Sequence, residues 1–146
     1  MEAKEYAFLL LKYRLRTEKE LSQRLKRKKF DQAVITETLE FLKNKGFVND
    51  AAFAKAWVNS RINKPIGLRR LRVELTQKGV DKEIINTEIA RVKEDYSEEA
   101  VVAEIARSRF QKLKGIEPQK AKRRVYAYLL RRGFSPEIVI DAVNQF

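Results

Sequence analysis

The sequence predicts an all-α protein of three tandem three-helix modules that form an elongated, curved repeat array, and three observations support this prediction. Apolar residues recur at i, i+3, i+4 and i+7 along almost the whole chain, whereas period-two alternation is scarce. Gly46, Gly79 and Gly133 each follow a Lys or Arg, as expected just after a helix. Shifting the sequence by 50 and then by 54 residues brings three segments into register.

The repeat is visible as apolar columns shared by the three segments. The columns are Leu21/Leu71/Val125, Leu25/Leu75/Leu129, Phe30/Val80/Phe134, Val34/Ile84/Ile138 and Leu39/Ile89/Val143. We assign the modules to residues 1–47, 48–95 and 96–146. Because so short a module buries little surface alone, we expect neighbouring modules to support one another. The alternative is one compact bundle, with a radius of gyration of roughly 14 to 15 Å.

In the first module, we predict helices over 3–14, 17–28 and 31–44. The second of these begins at Thr17, whose spacing to Glu20 is that of a capping box, and the third begins at Asp31, a residue that favours helix N-caps.

In the second module, we predict helices over 50–62, 68–78 and 81–93. Asn49 and Asp81 are suitable caps, and the segment 64–67 contains Pro and Gly and reads as a turn.

In the third module, we predict helices over 97–113, 119–132 and 135–145. Ser97 caps the first, a turn at 115–118 precedes the second, and Ser135 followed by Pro136 starts the third.

Composition favours binding over catalysis. The chain has no Cys and no His, which excludes disulfides, thiol nucleophiles, Ser-His dyads and zinc sites that use those ligands. Its five glycines never cluster into a phosphate-binding or dinucleotide-binding loop. A nuclease with carboxylate-bound metal is the remaining enzyme class, but the basic segments contain no acidic cluster. We therefore expect a protein that is not an enzyme and needs no cofactor.

The N-terminal region carries no targeting pattern. Its longest apolar run, residues 8–11, is too short for a signal peptide or a membrane span. We expect a cytoplasmic protein without a membrane partner, in agreement with the absence of cysteine.

Positive charge is concentrated in three segments. The formal net charge is +12, and residues 12–29, 61–78 and 107–132 carry +7, +5 and +9. The rest of the chain is close to neutral or acidic, and the third helices are acidic. In a helix-turn-helix reader, an acidic last helix would meet DNA phosphates with the wrong sign. The distribution favours contact of the second helices with a nucleic-acid backbone; the alternative is that the charged faces are only solvated.

Two aligned columns are basic in all three modules. Lys28, Lys78 and Arg132 lie near helix C-termini, where a cation complements the helix dipole and stabilises the fold. Lys19, Arg69 and Arg123 lie near helix starts, where the dipole disfavours them, and their direction on the helix is away from the apolar stripe. A cation that recurs in all three modules at a position where the helix dipole disfavours it indicates a binding partner.

The predicted contact residues are basic side chains of the three segments. They are Arg14, Arg16, Lys19, Arg24, Lys26, Arg27, Arg61, Arg69, Arg70, Arg72, Lys120, Arg123, Arg124 and Arg131. Most aromatic residues are expected to pack in the core. Tyr126 is the exception, because it aligns with the polar residues Ser22 and Arg72 and could stack on a base.

Four stretches of the chain resemble the RecX family of recombination regulators. The central ones are FVNDAAFAKAWVNSR at 47–61 and GLRRLRVELTQKGV at 67–80, and the outer ones are RLRTEKEL at 14–21, continuing to Phe30, and LRRGFSPE at 130–137. The chain departs from the family pattern at Lys29, where a glycine is expected before Phe30. If that position is left-handed, Lys costs on the order of 1 kcal/mol there.

The resemblance implies a monomeric, non-enzymatic modulator that binds the RecA recombinase filament on DNA and suppresses its strand-exchange and ATPase activities. From the resemblance and the charge distribution together, we expect contact with single- and double-stranded DNA through phosphates. The alternative hypothesis is a nucleic-acid-binding helical repeat protein without sequence preference and without a recombinase partner. The effect on RecA ATP hydrolysis distinguishes the two.

Overall fold

The computed structural model describes residues 1–146 and contains nine α-helices and no β-strand. The helices are α1 (Ala3–Tyr13), α2 (Glu18–Arg27), α3 (Gln32–Asn44), α4 (Asp50–Arg61), α5 (Leu68–Gln77), α6 (Lys82–Lys93), α7 (Glu98–Lys112), α8 (Pro118–Arg131) and α9 (Pro136–Val143). The all-α prediction is confirmed, and every helix end lies within two residues of its predicted position. No helix is both long and apolar enough to cross a membrane.

Three of the predicted helix caps form hydrogen bonds. Thr17 and Glu20 make the complete capping box: the Thr17 hydroxyl accepts from the Glu20 N–H at 3.1 Å, and the Glu20 carboxylate accepts from the Thr17 N–H at 3.0 Å. Asn49 and Ser97 each accept from the backbone N–H three residues further on, at 3.0 and 3.2 Å. These bonds satisfy N–H groups that a helix start leaves without a partner.

Two other predicted caps occupy the expected position without the expected bond. Asp31 and Ser135 stand at the N-caps of α3 and α9, but neither side chain accepts a capping hydrogen bond. In α9, Pro136 at the first helical position has no N–H, so the start of this helix leaves one fewer donor without a partner.

The chain divides into two compact units. The first consists of residues 1–58 and 74–88, and the second of residues 59–73 and 89–146. The predicted middle module thus contributes to both units, and the module boundaries stay a prediction.

In the first unit, α1, α2 and α3 pack on one another around a buried apolar cluster. Leu21 and Leu25 of α2 are fully buried, as their stripe predicts, and lie with Leu10, Ile35 and Leu42. Burying each of these side chains contributes about 1.5 to 3 kcal/mol. The apolar face of α2 therefore points inward, and its basic face is left outside.

In the second unit, α7, α8 and α9 pack on one another in the same manner. Val125 and Leu129, which align with Leu21 and Leu25, are 1% and 0% exposed. Phe134 is the largest fully buried side chain of this cluster. The basic face of α8 is consequently directed to solvent.

Lys29 has the left-handed backbone conformation that the glycine of the family pattern suggested for this position. Lys29 has a φ of 68° and is the single non-glycine residue with positive φ, whereas the aligned Gly79 and Gly133 each have a φ of 87°. A Cβ at Gly79 would clash with the side chain of Lys19, and one at Gly133 would clash with Arg70. Glycine is therefore required at two of these positions, and Lys29 adopts a strained backbone at the third.

Candidate nucleic-acid interface

Eleven of the fourteen predicted contact residues lie on α2, α5 and α8. Arg14 and Arg16 precede α2, and Arg61 ends α4. Ten of the fourteen are exposed, namely Arg14, Lys19, Lys26, Arg27, Arg69, Arg70, Lys120, Arg123, Arg124 and Arg131, and four are half-buried, namely Arg16, Arg24, Arg61 and Arg72. Arg61, Arg70 and Arg72 also have partners within the protein.

The column Lys19/Arg69/Arg123 is exposed in all three modules, as predicted. These three side chains make no hydrogen bond or ion pair, so their charged ends are available to a partner. Lys19 and Arg69 are the second residues of α2 and α5, where the helix dipole disfavours a cation. Arg123 is the sixth residue of α8, beyond the first turn, because α8 begins at Pro118. The prediction that the helix dipole disfavours a cation was therefore wrong at Arg123.

Arg14 is exposed but engaged in the protein. Its Nη2 lies 2.7 Å from Glu20 Oε2, its Nη1 lies 3.3 Å from Oε1, and Nη1 also donates to the Leu15 carbonyl at 2.8 Å. Burial opposes ionisation of Glu20, but the hydrogen bonds from Arg14 and Thr17 and the charges of Arg14 and Lys78 hold its pKa below the ordinary value. A phosphate that binds Arg14 must compete with this carboxylate.

Arg16 is a stronger candidate than Arg14 for binding an anion. It is half-buried, and its Nε is buried without a hydrogen-bond partner. Burial and then the neighbouring charges of Arg14 and Arg24 lower its pKa. Because an unpaired buried N–H and crowded like charges are both unfavourable, an anion placed against Arg16 would relieve both costs.

A groove of about 540 Å³ lies on the first unit between α2 and α3. Lys19 and Lys26 line it, but so do acidic side chains, among them Asp50. Asp50 accepts a hydrogen bond from the Glu18 N–H at 3.0 Å, and burial followed by the charges of Glu18 and Asp81 raises its pKa. The carboxylates in this groove offset its cations.

The second unit has a corresponding groove of about 620 Å³ beside α5. Arg69, Arg72 and Lys93 line it together with Glu98. Glu98 is 8% exposed, and its Oε1 accepts from the Leu68 N–H at 2.7 Å. Its negative charge is thus placed at the start of α5, where it complements the helix dipole.

The carboxylates of the two grooves show a repeated device at helix starts. Asp50 and Glu98 are the first residues of α4 and α7, and each accepts from the first N–H of the second helix of the preceding module. Sequence reasoning missed this device. The sequence does show an acidic residue at the start of α4 and of α7. The N–H groups that these residues accept from lie about 30 residues earlier in the chain, so the pairing was not visible.

The start of α8 is satisfied locally instead. Pro118 has no N–H to offer, and the Glu117 carboxylate accepts from the Gln119 and Lys120 N–H groups, both at 3.0 Å. These hydrogen bonds lower the pKa of Glu117. Sequence analysis missed this cap, because Glu117 lay within the predicted turn.

The column Lys28/Lys78/Arg132 contacts aromatic rings of the protein. Lys28 Nζ lies 5.2 Å from the Tyr6 ring centroid, and Lys78 Nζ lies 4.4 Å from that of Trp57. Arg132 donates to the Tyr128 hydroxyl at 3.0 Å. These cation–π and hydrogen-bond contacts agree with the interpretation of this column as part of the fold.

Family models of three consecutive domains match the chain. They are described as the first, second and third three-helix domains of RecX, and they match residues 3–42, 49–87 and 97–143. The chain belongs to the RecX family. The resemblance that the sequence indicated is confirmed.

Relatives in this family match over nearly the whole chain. The "Regulatory protein RecX" of Amycolatopsis mediterranei is 38% identical over 146 residues, which cover 99% of this chain and 82% of that protein. The "Regulatory protein RecX" of Chlorobium phaeobacteroides is 37% identical over 145 residues, which cover 99% and 93%. The crystal structure of RecX from Lactobacillus salivarius has the same fold, with a TM-score of 0.83 at 20% identity, over 98% of this chain and 93% of that one.

Within this RecX-family chain, the two basic columns differ in what surrounds them. The Lys28/Lys78/Arg132 column contacts aromatic rings of the protein, whereas the side chains of the Lys19/Arg69/Arg123 column make no hydrogen bond or ion pair. No group of three or more acidic side chains is placed to hold a metal ion. The chemistry that the exposed column offers is electrostatic attraction of anions.

Proposed function

We propose that this protein binds a RecA–DNA nucleoprotein filament as a monomer, contacts the DNA through phosphates, and inhibits the recombinase and ATPase activities of the filament. In this role it modulates recombination and DNA repair in the cytoplasm. Membership of the RecX family, whose members here are named regulatory proteins, supports a regulatory function. The observation that supports the DNA contact most directly is the exposed column Lys19/Arg69/Arg123.

The physical basis of the DNA contact is release of counterions. Each Lys or Arg that neutralises a phosphate releases condensed cations, so log K falls linearly with log [salt], by about 0.9 per phosphate on duplex DNA and about 0.7 on single strands. If each module meets one or two phosphates, the expected slope is about −3 to −5. A flat salt response would mean that the basic faces are only solvated surface.

The test reverses the charge of the exposed column. A variant with Lys19, Arg69 and Arg123 changed to Glu should fold and melt at or above the wild-type temperature, because the three side chains are exposed and a carboxylate suits the first turn of α2 and α5. Its binding to the filament and its inhibition of ATP hydrolysis should drop sharply, and the salt slope should become shallower by about 2 to 3.

A matched control distinguishes the effect of losing these three contacts from the effect of lowering the net charge of the protein. Lys45, Lys55 and Lys82 are exposed and lie outside the basic segments, and their change to Glu alters the net charge by the same amount. This control should retain most of the inhibition. Full inhibition by the Lys19/Arg69/Arg123 variant would contradict the proposed contact surface. Binding to naked DNA without any effect on RecA ATP hydrolysis would instead favour a simple nucleic-acid-binding repeat protein.

A further inference from the structure

The groove between α8 and α9 is lined by cationic, aromatic, aliphatic and amide side chains and by no carboxylate. It measures about 200 Å³ and lies wholly within the second unit. Its lining includes Gln119, Lys122, Arg123 and Tyr126 of α8 and Ile140 and Asn144 of α9. With Val143 at its base, the groove combines two cations, one aromatic ring, two aliphatic side chains and two amides.

Both walls of this α8–α9 groove differ from the aligned positions of the other two modules. Tyr126 and Ile140 replace polar residues on the second and third helices, respectively. The aligned residues are Ser22 and Arg72 on the second helices, and Thr36 and Asn86 on the third. Because the repeat otherwise keeps polar side chains in these columns, the apolar pair is specific to the third module.

Packing in the core accounts for this pair only in part. Ile140 is 43% exposed, although it is a large aliphatic residue, and Tyr126 is half-buried at the edge of the core of this unit. Nor is the groove acidic: carboxylates such as Asp50 and Glu98 line the grooves beside α2 and α5, whereas none lines the α8–α9 groove.

These side chains fit one nucleotide. A half-buried tyrosine ring with an aliphatic side chain opposite offers a face on which a base can stack, as in proteins that bind single strands. Lys122 and Arg123 can neutralise the adjoining phosphate, and the amides of Gln119 and Asn144 can donate to or accept from a base edge. Bases within a duplex are stacked on their neighbours and cannot enter such a groove. The ligand must therefore be unpaired.

We propose that the α8–α9 groove is a subsite for one unpaired nucleotide of single-stranded DNA, with its base stacked on Tyr126 and its phosphate on Arg123. This inference rests on the proposed function for the choice of DNA as the polyanion. It adds a preference for unpaired strands, which phosphate contacts alone do not give.

The experiment compares two strands that carry the same phosphates. Binding of the full chain to a labelled oligodeoxythymidylate of about 15 nucleotides is measured by fluorescence anisotropy, beside a strand of equal length in which the sugars carry no base. One base stacked on an aromatic ring strengthens binding by about 5- to 150-fold. The wild type should therefore bind the strand with bases more tightly by a factor in this range.

Variants taken from the aligned modules assign the preference to the groove. Tyr126→Ser and Ile140→Thr should bring the affinity ratio of the two strands close to one and leave the salt slope unchanged, whereas Tyr126→Phe should keep the ratio. Because Ile140 is exposed, its replacement tests the proposal even if the Tyr126→Ser chain does not fold. A ratio near one for the wild type, or a wild-type ratio in a folded Ile140→Thr variant, would overturn the proposal.

Inhibition of RecA ATP hydrolysis, measured on the same proteins, separates this proposal from the proposed function. Inhibition by a wild type that binds both strands equally would remove the base subsite and leave the filament contact standing. The opposite result is a wild type that prefers the strand with bases, loses this preference in Tyr126→Ser, and does not inhibit ATP hydrolysis. That result would support the base subsite and contradict the proposed function.

Discussion

Replacing Lys29 by Gly should stabilise the protein. Lys29 lies just after α2 with a φ of 68°, it is exposed, and its N–H donates to the Lys26 carbonyl at 2.9 Å. The left-handed conformation costs a residue with a Cβ roughly 1 to 2 kcal/mol. Glycine avoids that cost but has a larger unfolded-state entropy, worth about 0.5 to 1 kcal/mol. The net expected gain is about 0.5 to 1 kcal/mol.

Thermal unfolding followed by circular dichroism measures this gain. For a chain of this length, with an unfolding entropy of about 2.1 cal/mol/K per residue, the melting temperature of Lys29→Gly should rise by about 2 to 3 °C. Chemical denaturation gives the same comparison as a higher midpoint with an unchanged slope.

Lys29→Ala is the matched control, because it removes the charge and keeps the Cβ. It should stay within about 0.5 kcal/mol of the wild type. Gly79→Ala should instead lose stability, because a Cβ there combines positive φ with a clash against Lys19. The reasoning would be refuted if Lys29→Ala and Lys29→Gly were equally stabilised, since the gain would then come from lost charge repulsion.

Two carboxylates give further predictions. The folded pKa of Glu20 is depressed, so its ionised form stabilises the fold above the unfolded pKa near 4.3, and this stability is lost as pH falls through the folded pKa. Glu20→Gln should therefore melt below the wild type at pH 7, and the difference should shrink below about pH 4. Glu98→Ala leaves the Leu68 N–H unsatisfied and should cost about 1 to 3 kcal/mol in chemical denaturation, unlike the control at exposed Glu99.

Features that depend on neighbouring residues were predictable from the sequence. The nine helices follow from apolar periodicity, and the Thr17 capping box from the spacing of two residue types. The strained turn at Lys29 was recognisable because two of the three modules have glycine in that column. In each case the physical cause lies within a few residues of its effect.

Features that depend on the approach of distant segments were not predictable. Asp50 meets the start of α2, and Glu98 meets the start of α5, only because folding brings residues about 30 positions apart into contact. The hydrogen bond from the Thr17 hydroxyl to the Lys78 carbonyl, 2.6 Å long, spans a sequence separation of 61 residues. For the predicted contact residues, the sequence located the charge, but it did not reveal that Glu20 already holds Arg14.

The positions of Lys19 and Arg69 imply opposite effects of one change on stability and on binding. A cation in the first turn of an exposed helix costs about 0.3 to 1 kcal/mol, and neither side chain recovers this cost through a hydrogen bond or an ion pair. The two cations together lower the free energy of unfolding by about 0.6 to 2 kcal/mol. This is an appreciable part of the roughly 5 to 15 kcal/mol that is typical of a folded domain. Replacing both by Glu should therefore raise the melting temperature while filament binding falls. A purely solvated charge would show the first effect without the second, so the two measurements, made on one double variant, distinguish a binding surface from an incidental one.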